Sequence, residues 1–377
     1  MGILDTPVTL ASIGAAPAVP GVALQVAQGA LRNREQAPFR FAVIGDSVVE
    51  GRNASANPGT RWVDLVRDGL RQAYPTSGIG VGGGTGYMPF FTISPQTSPF
   101  TSVNVTQNFT NGLGLKATQL NGVSAKITGT VTGTSIDILY LSGTSSRLAY
   151  YKIDGGTAVN FETGGAGAVS DNGILRVSLG SAGSHTLEFG WVSGTTVYLE
   201  GIIVYNGDEN KGIHLIEAGH SGYETVQYDD VAQAAGHPVR VASLAPQLVV
   251  LALGENDYLH GFTSAAYKTR LKSIITKQRA AYSGVKPSFA ILSNFEANAA
   301  GGNIEPWSNF VKAAREVALE DALGPYGMSG VQHIDLSVRM PKILGDTQSL
   351  YSDNYHPNDK GHRLMAYHIH QAIAPRG

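Results

Sequence analysis

Four short blocks of this chain hold residue types that together can perform acyl transfer. Gly45-Asp46-Ser47 closes an apolar run, His220-Ser221-Gly222 follows a second, and Gly254-Glu255-Asn256-Asp257 follows a third. Asp353-Asn354-Tyr355-His356-Pro357 lies just ahead of the last helical stretch. A serine hydroxyl is a nucleophile only if a base removes its proton and donors meet the developing oxyanion. His356 suits the base: it takes the Ser47 proton and later hands it to the leaving alcohol. Asp353 stands three residues before His356, so one tight turn can aim its carboxylate at the imidazole Nδ1–H. That contact fixes the tautomer and stabilises the imidazolium.

Such residues need a frame. Residues 39–44 form an apolar run that breaks at Gly45, which predicts a buried strand ending in a strand-to-helix turn at Ser47. Open α/β sheets hold their ligands at that carboxyl edge. Helical spacing follows over residues 62–74, and further strands are expected at 212–216, 248–253, 288–292 and 331–336. Helices are expected over 264–282, 307–323 and 358–374. This alternation predicts α/β architecture, a parallel sheet covered on both faces in three layers. The glycine-rich stretch 78–87 lacks a following Lys-Ser/Thr pair and reads as a junction rather than a phosphate loop.

Between residues 92 and 207 the texture changes: charges thin out, and Thr, Ser, Gly and Val dominate. Short β-type runs recur at 123–131, 135–141, 148–153, 174–179, 185–192 and 197–205, with turns such as Gly180-Ser181-Ala182-Gly183 between them. That spacing suggests an all-β sandwich. The expected division is an extended N-terminal arm (1–37), a catalytic domain in two pieces (38–91 and 208–377) and the sandwich inserted between them (92–207).

Composition narrows the function classes. The 377 residues carry a formal charge of -2 with 42% hydrophobic content, enough apolar material for a core and no basic run for nucleic acid. There is no cysteine, which excludes disulfides, a Cys nucleophile and thiolate metal sites. No apolar run is long enough to span a bilayer, and the N-terminus has no signal-peptide pattern. His368 and His370 stand two apart on a helix and point to different faces, so no metal or organic cofactor is expected.

The four blocks in this order resemble the SGNH (GDSL-type) hydrolase family, over roughly residues 39–90 and 210–375. The resemblance implies a flavodoxin-like hydrolase core with Ser47, His356 and Asp353 catalytic. It further implies an oxyanion hole made of the Ser47 and Gly222 backbone N–H groups and the Asn256 side-chain amide. Gly222 would then be glycine because a side chain would block the acyl group or forbid the turn, while Asn256 could instead cap its own loop. Asp46 more readily bonds local backbone than reacts. With His220 and Tyr258 it is assigned to a possible substrate pocket.

The insert resembles, loosely, the jelly-roll modules that accompany some carbohydrate esterases, and Tyr150, Tyr151 or Trp191 could stack on sugar rings there. The leading expectation is a serine esterase that removes short acyl groups, acetyl foremost, from an acylated carbohydrate. One alternative is a lipase-like or small-ester esterase whose insert is a lid or an oligomerisation module. The other is a glycan-binding structural protein of a virion tail. An extracellular or virion-associated site of action fits either reading.

Overall fold

The computed structural model describes residues 23–78, 86–93, 99–108, 110, 112–164, 171–234, 236–298, 301–322 and 330–374. Helix α1 (Gln25–Arg32) leads into strand β1 (Phe39–Gly45), followed by the one-turn helix α2 (Ser47–Glu50) and by α3 (Trp62–Ala73). The insert contributes β2 (Gly86–Pro89), β3 (Phe100–Val103), β4 (Val105–Asn108), β5 (Ala117–Leu120) and β6 (Lys126–Ser142). It continues through β7 (Arg147–Ile153), β8 (Val159–Glu162), β9 (Asp171–Gly194) and β10 (Val197–Tyr205). The alternating pattern then resumes with β11 (Ile213–Gly219), α4 (Thr225–Asp229), α5 (Val231–Ala234) and α6 (His237–Ser243). Next come β12 (Leu248–Ala252), α7 (Glu255–Leu259) and α8 (Ser264–Ala280). The chain closes with β13 (Ser288–Ser293), α9 (Trp307–Ala322), β14 (Val331–Asp335) and α10 (Asp359–Ile373).

β1, β11, β12, β13 and β14 form one parallel sheet in the order β11-β1-β12-β13-β14. Counting only these strands the order is 2-1-3-4-5, the flavodoxin-like winding, whose switch point lies beside β1. Side chains alternate across the sheet. Phe41 and Val43 face a core closed by Leu24 and Leu31 of the α1 region, Trp62 and Val66 of α3, and Met365 and Ile369 of α10. Ala42 and Ile44 face the other core, with Leu271 and Ile275 of α8 and Phe310 of α9. Burying each such aliphatic or aromatic side chain contributes about 1.5–3 kcal/mol, so β1 is anchored from both sides.

The nine strands β2 to β10 form a second, antiparallel sheet, hydrogen-bonded throughout. Two pairs of expected strands are each one long strand. β6 runs through Gly133, and β9 absorbs the expected turn at Gly180–Gly183 as a bulge, where the register jumps between Gly133 and Ser135. Glycine near φ > 0 in a strand interior marks a bulge as readily as a turn, and Gly180 has φ +92°. The sheet has an apolar cluster of its own around Phe90, Phe189 and Ile138. It also shares a core with the parallel sheet, where Tyr87, Leu113, Leu115, Leu139, Ile203 and Tyr205 join Ala42 and Ile216.

The extended arm expected over 1–37 is, in its described part, helical. Leu24, Ala27 and Leu31 of the α1 region recur at helical spacing and are buried. The glycine-rich junction 78–87 falls largely on residues 79–85, outside the described residues, and its last two positions begin β2.

Candidate active site

β1 pairs Gly45 with Gly219 of β11 and with Ala252 of β12, so the three following loops leave one sheet edge side by side. Asp46 is the N-cap of α2: its backbone is extended and its Oδ1 accepts from Val48 N–H at 2.9 Å. An N-cap carboxylate of this kind satisfies a donor that the helix start leaves unpaired. Ser47 is therefore the first residue of a one-turn helix, and its own N–H points out of the helix start. Trp62 Nε1 donates to Val48 O at 3.0 Å and holds that turn against α3.

Ser47 Oγ lies 2.9 Å from His356 Nε2. On the other side of the ring, His356 Nδ1 is 3.0 Å from both carboxylate oxygens of Asp353. A carboxylate only accepts, so Nδ1 carries the hydrogen and Nε2 is left to accept from the serine hydroxyl. Asp353 is oriented in turn. Its Oδ1 accepts from Tyr355 N–H and His356 N–H, both at 2.7 Å, and its Oδ2 accepts from Asn53 Nδ2 at 2.8 Å. Burial pushes the Asp353 carboxyl up, but the Tyr355 N–H, His356 and Asn53 donors outweigh it and hold it below the ordinary value. Burial pulls the His356 imidazole below its ordinary value, with the Asp353 contact opposing. The ring therefore rests neutral, as a base must.

The second and third blocks meet each other. Asn256 lies in α7, and its Nδ2 donates to Tyr223 O at 2.9 Å, across to the loop that holds Gly222. Its amide bonds that neighbouring loop rather than capping its own helix, which Gly254 begins without a side-chain cap. Gly222 has φ +83° and a Cβ there would meet nothing within 4 Å. Its glycine is required by the left-handed backbone and not by crowding from the protein.

The three residues assigned to a substrate pocket are buried. Asp46 is buried as the cap of α2. Its carboxyl is raised to about 7, first by burial, against the Val48 N–H contact that lowers it. His220 is buried, its Nδ1 donating to Gly114 O at 2.7 Å and its ring stacked 3.3 Å from that of Tyr223. Burial and then the Lys116 charge pull it down to about 4, so it is neutral near pH 7. Tyr258 packs edge-on against Trp307 and Phe310 in the core. None of the three has more than 4% of its surface exposed.

Sequence reasoning missed Asn53, a further donor to Asp353, because a polar residue in a polar loop carries no periodic signal. It also missed Lys116, although that residue is the only Asp, Glu, Lys or Arg between positions 72 and 125. An open groove lined by Asn53, Ser55, Asn358 and Arg363 continues from the Asp353 side of the site. Among the described residues, no group of three or more His, Asp or Glu is placed to hold a metal, and no helix is long and apolar enough to cross a membrane.

Comparison with known proteins places these features in context. Residues 201–364 match the GDSL-like lipase/acylhydrolase family, a span that includes the Gly222, Asn256 and Asp353–His356 blocks and begins after Ser47. No curated protein matches the chain significantly. Among solved structures, a peptidoglycan O-acetylesterase is 14% identical with a TM-score of 0.67, over 93% of this chain and 95% of that one. The fold, second sheet included, is thus shared. An active-site mutant of a family two carbohydrate esterase from Clostridium thermocellum is 15% identical with a TM-score of 0.35, over 72% of this chain and 97% of that one. A salicylyl-acyltransferase from a tetracycline biosynthetic pathway is 12% identical with a TM-score of 0.37, over 73% and 96%.

Proposed function

We propose that this chain, whose residues 201–364 match the GDSL-like lipase/acylhydrolase family, is an ester hydrolase that removes short acyl groups, acetyl foremost, from an acylated carbohydrate. The observation that carries the reading is the continuous line from Asp353 through His356 to Ser47, with contacts of 3.0 and 2.9 Å. Ser47 Oγ attacks the ester carbonyl as His356 Nε2 takes its proton, and Asp353 holds the imidazolium that results. The oxyanion is met by the Ser47 N–H, the Gly222 N–H and the Asn256 amide, whose second hydrogen is oriented by the bond from the first to Tyr223 O. Collapse expels the sugar alcohol with the proton from His356. Water, deprotonated by the same ring, then releases the acid from the acyl-enzyme.

Acetyl is favoured because a fold neighbour along nearly the whole chain is a peptidoglycan O-acetylesterase. The insert is read as a β-sandwich module. Tyr150, Tyr151 and Trp191 of β7 and β9 are part-exposed, and a free ring face of this kind can stack on a sugar ring.

The test is hydrolysis of p-nitrophenyl acetate by the native protein and by Ser47→Ala, with an acyl chain-length series and acetate release from acetylated xylan and acetylated peptidoglycan. Ser47→Ala is expected to lose about a thousandfold or more in kcat, and rate is expected to fall with chain length. Equal rates for the two proteins would remove the mechanism, and a preference for long chains would remove the acetyl assignment.

A further inference from the structure

The insert reaches beneath the nucleophile. Lys116, just ahead of β5, places its Nζ 2.6 Å from Glu50 Oε1, and neither side chain has more than 1% of its surface exposed. Glu50 is the last residue of α2, the single turn whose first residue is Ser47. A buried carboxylate is tolerated only when a partner and hydrogen bonds compensate its lost hydration. Arg61 also acts on Glu50 through its charge, but its own guanidinium is committed to Asp64 at 2.7 Å. Lys116 is in direct contact with Glu50. As the only charge in a long uncharged stretch, it has no surface role to explain it.

Two residues earlier the same segment meets the second loop. Gly114 has φ +64°, and a Cβ there would lie 2.8 Å from Gly219 O, so the segment is seated directly against the end of β11. Gly114 O accepts from His220 Nδ1, and His220 N–H donates to Gly45 O at 2.9 Å. The loop that holds Gly222 is therefore propped from below by the same few residues of the insert that fix the Ser47 turn. The Leu113 and Leu115 side chains lock the segment in the shared core.

We propose that Lys116 is a positioning residue for the reaction: through Glu50 it sets the Ser47 turn, and the adjoining Gly114 carbonyl sets the Gly222 loop through His220. The insert then acts on turnover and not only on substrate capture. This rests on the esterase reading above. The native protein against Ser47→Ala tests that reading, whereas the variants below are compared with the native protein.

Lys116→Met and Lys116→Met/Glu50→Gln are assayed with p-nitrophenyl acetate below their melting temperatures. Displacing a reacting group by a fraction of an ångström to 1 Å costs up to about 100-fold. Lys116→Met is thus expected to lose about 10- to 100-fold in kcat at nearly unchanged KM. The double variant, which removes the cation together with the carboxylate it bonds, is expected to recover to within a few-fold of native. A native kcat in Lys116→Met, or a loss that Glu50→Gln does not relieve, overturns the proposal. Should Lys116→Met fail to fold, Lys116→Arg decides: it keeps the charge but moves its head. A lowered kcat at native KM supports the positioning role, and a native kcat refutes it.

Discussion

His356 sets the acid side of the reaction. Burial holds its imidazole below its ordinary value of 6.5, so the base stays unprotonated as pH falls through 6.5. The acid limb of kcat/KM for p-nitrophenyl acetate is expected to have its midpoint below 6.5. A midpoint above 6.5 would mean that the Asp353 contact outweighs burial. Asp46 affects stability instead. Its carboxyl is raised to about 7 in the folded state, first by burial, against an ordinary value of 3.8. The folded protein thus keeps a proton that the unfolded chain releases, so this contribution is full below pH 3.8 and is lost as pH rises to about 7. Glu255, likewise raised by burial and then by the Asp46 charge, loses stability with pH in the same sense. Asp46→Asn keeps the cap acceptor and removes the titration. Its urea midpoint is expected to fall less steeply than native between pH 4 and 7, and parallel curves would show that Asp46 is ionised throughout.

Element by element, α3 depends on a buried charge network. Arg61 bonds Asp64 at 2.7 and 3.1 Å and reaches Glu217 of β11 at 3.5 Å, while Arg67 bonds Asp64 at 3.1 Å. Removing one member of such a network leaves the others uncompensated, at a cost of about 3–5 kcal/mol. Arg61→Met is therefore expected to lower the unfolding free energy by about that amount in chemical denaturation, and a loss under 1 kcal/mol would show that the network is worth little. The reach to Glu217 was not visible in the chain, because Arg61 and Glu217 meet only once β11 is in place, whereas the Asp64 pairs are three residues apart. The elements with strong local periodicity were legible: the five parallel strands, α3, α8, α9 and α10 all lie close to where their apolar spacing predicts. β3, β4 and β5 were not, since each has four residues and little alternation. β6 and β9 read as four strands because Gly133 and Gly180 look like turns locally and are bulges only in the context of a partner strand. Likewise Ser47, His356 and Asp353 could be read from block order and a three-residue spacing. The burial of His220 and Tyr258 could not, because the insert and α9 provide it from far along the chain.

For the molecule as a whole, the insert is not a separable attachment. β2 lies against β11, and Leu113, Leu115, Leu139 and Tyr205 complete the catalytic core. Arg240 of α6 adds a buried ion pair to Glu200 of β10. Replacing residues 92–207 by a short flexible linker is expected to abolish cooperative unfolding, not merely substrate affinity. A linker variant that melts like the native protein and still cleaves p-nitrophenyl acetate would show that the core stands alone.

The pairing of Phe39 with Ile213 also dictates an order of events on the ribosome. β1 emerges early, yet both its neighbours, β11 and β12, lie beyond the whole insert. The nascent chain must therefore keep this buried, largely apolar strand unpaired until the whole insert has been made. Closing so distant a contact is slow, and a waiting strand of this kind is prone to aggregate. Recombinant yield should depend more on translation speed and chaperone supply than the stability of the finished molecule would suggest.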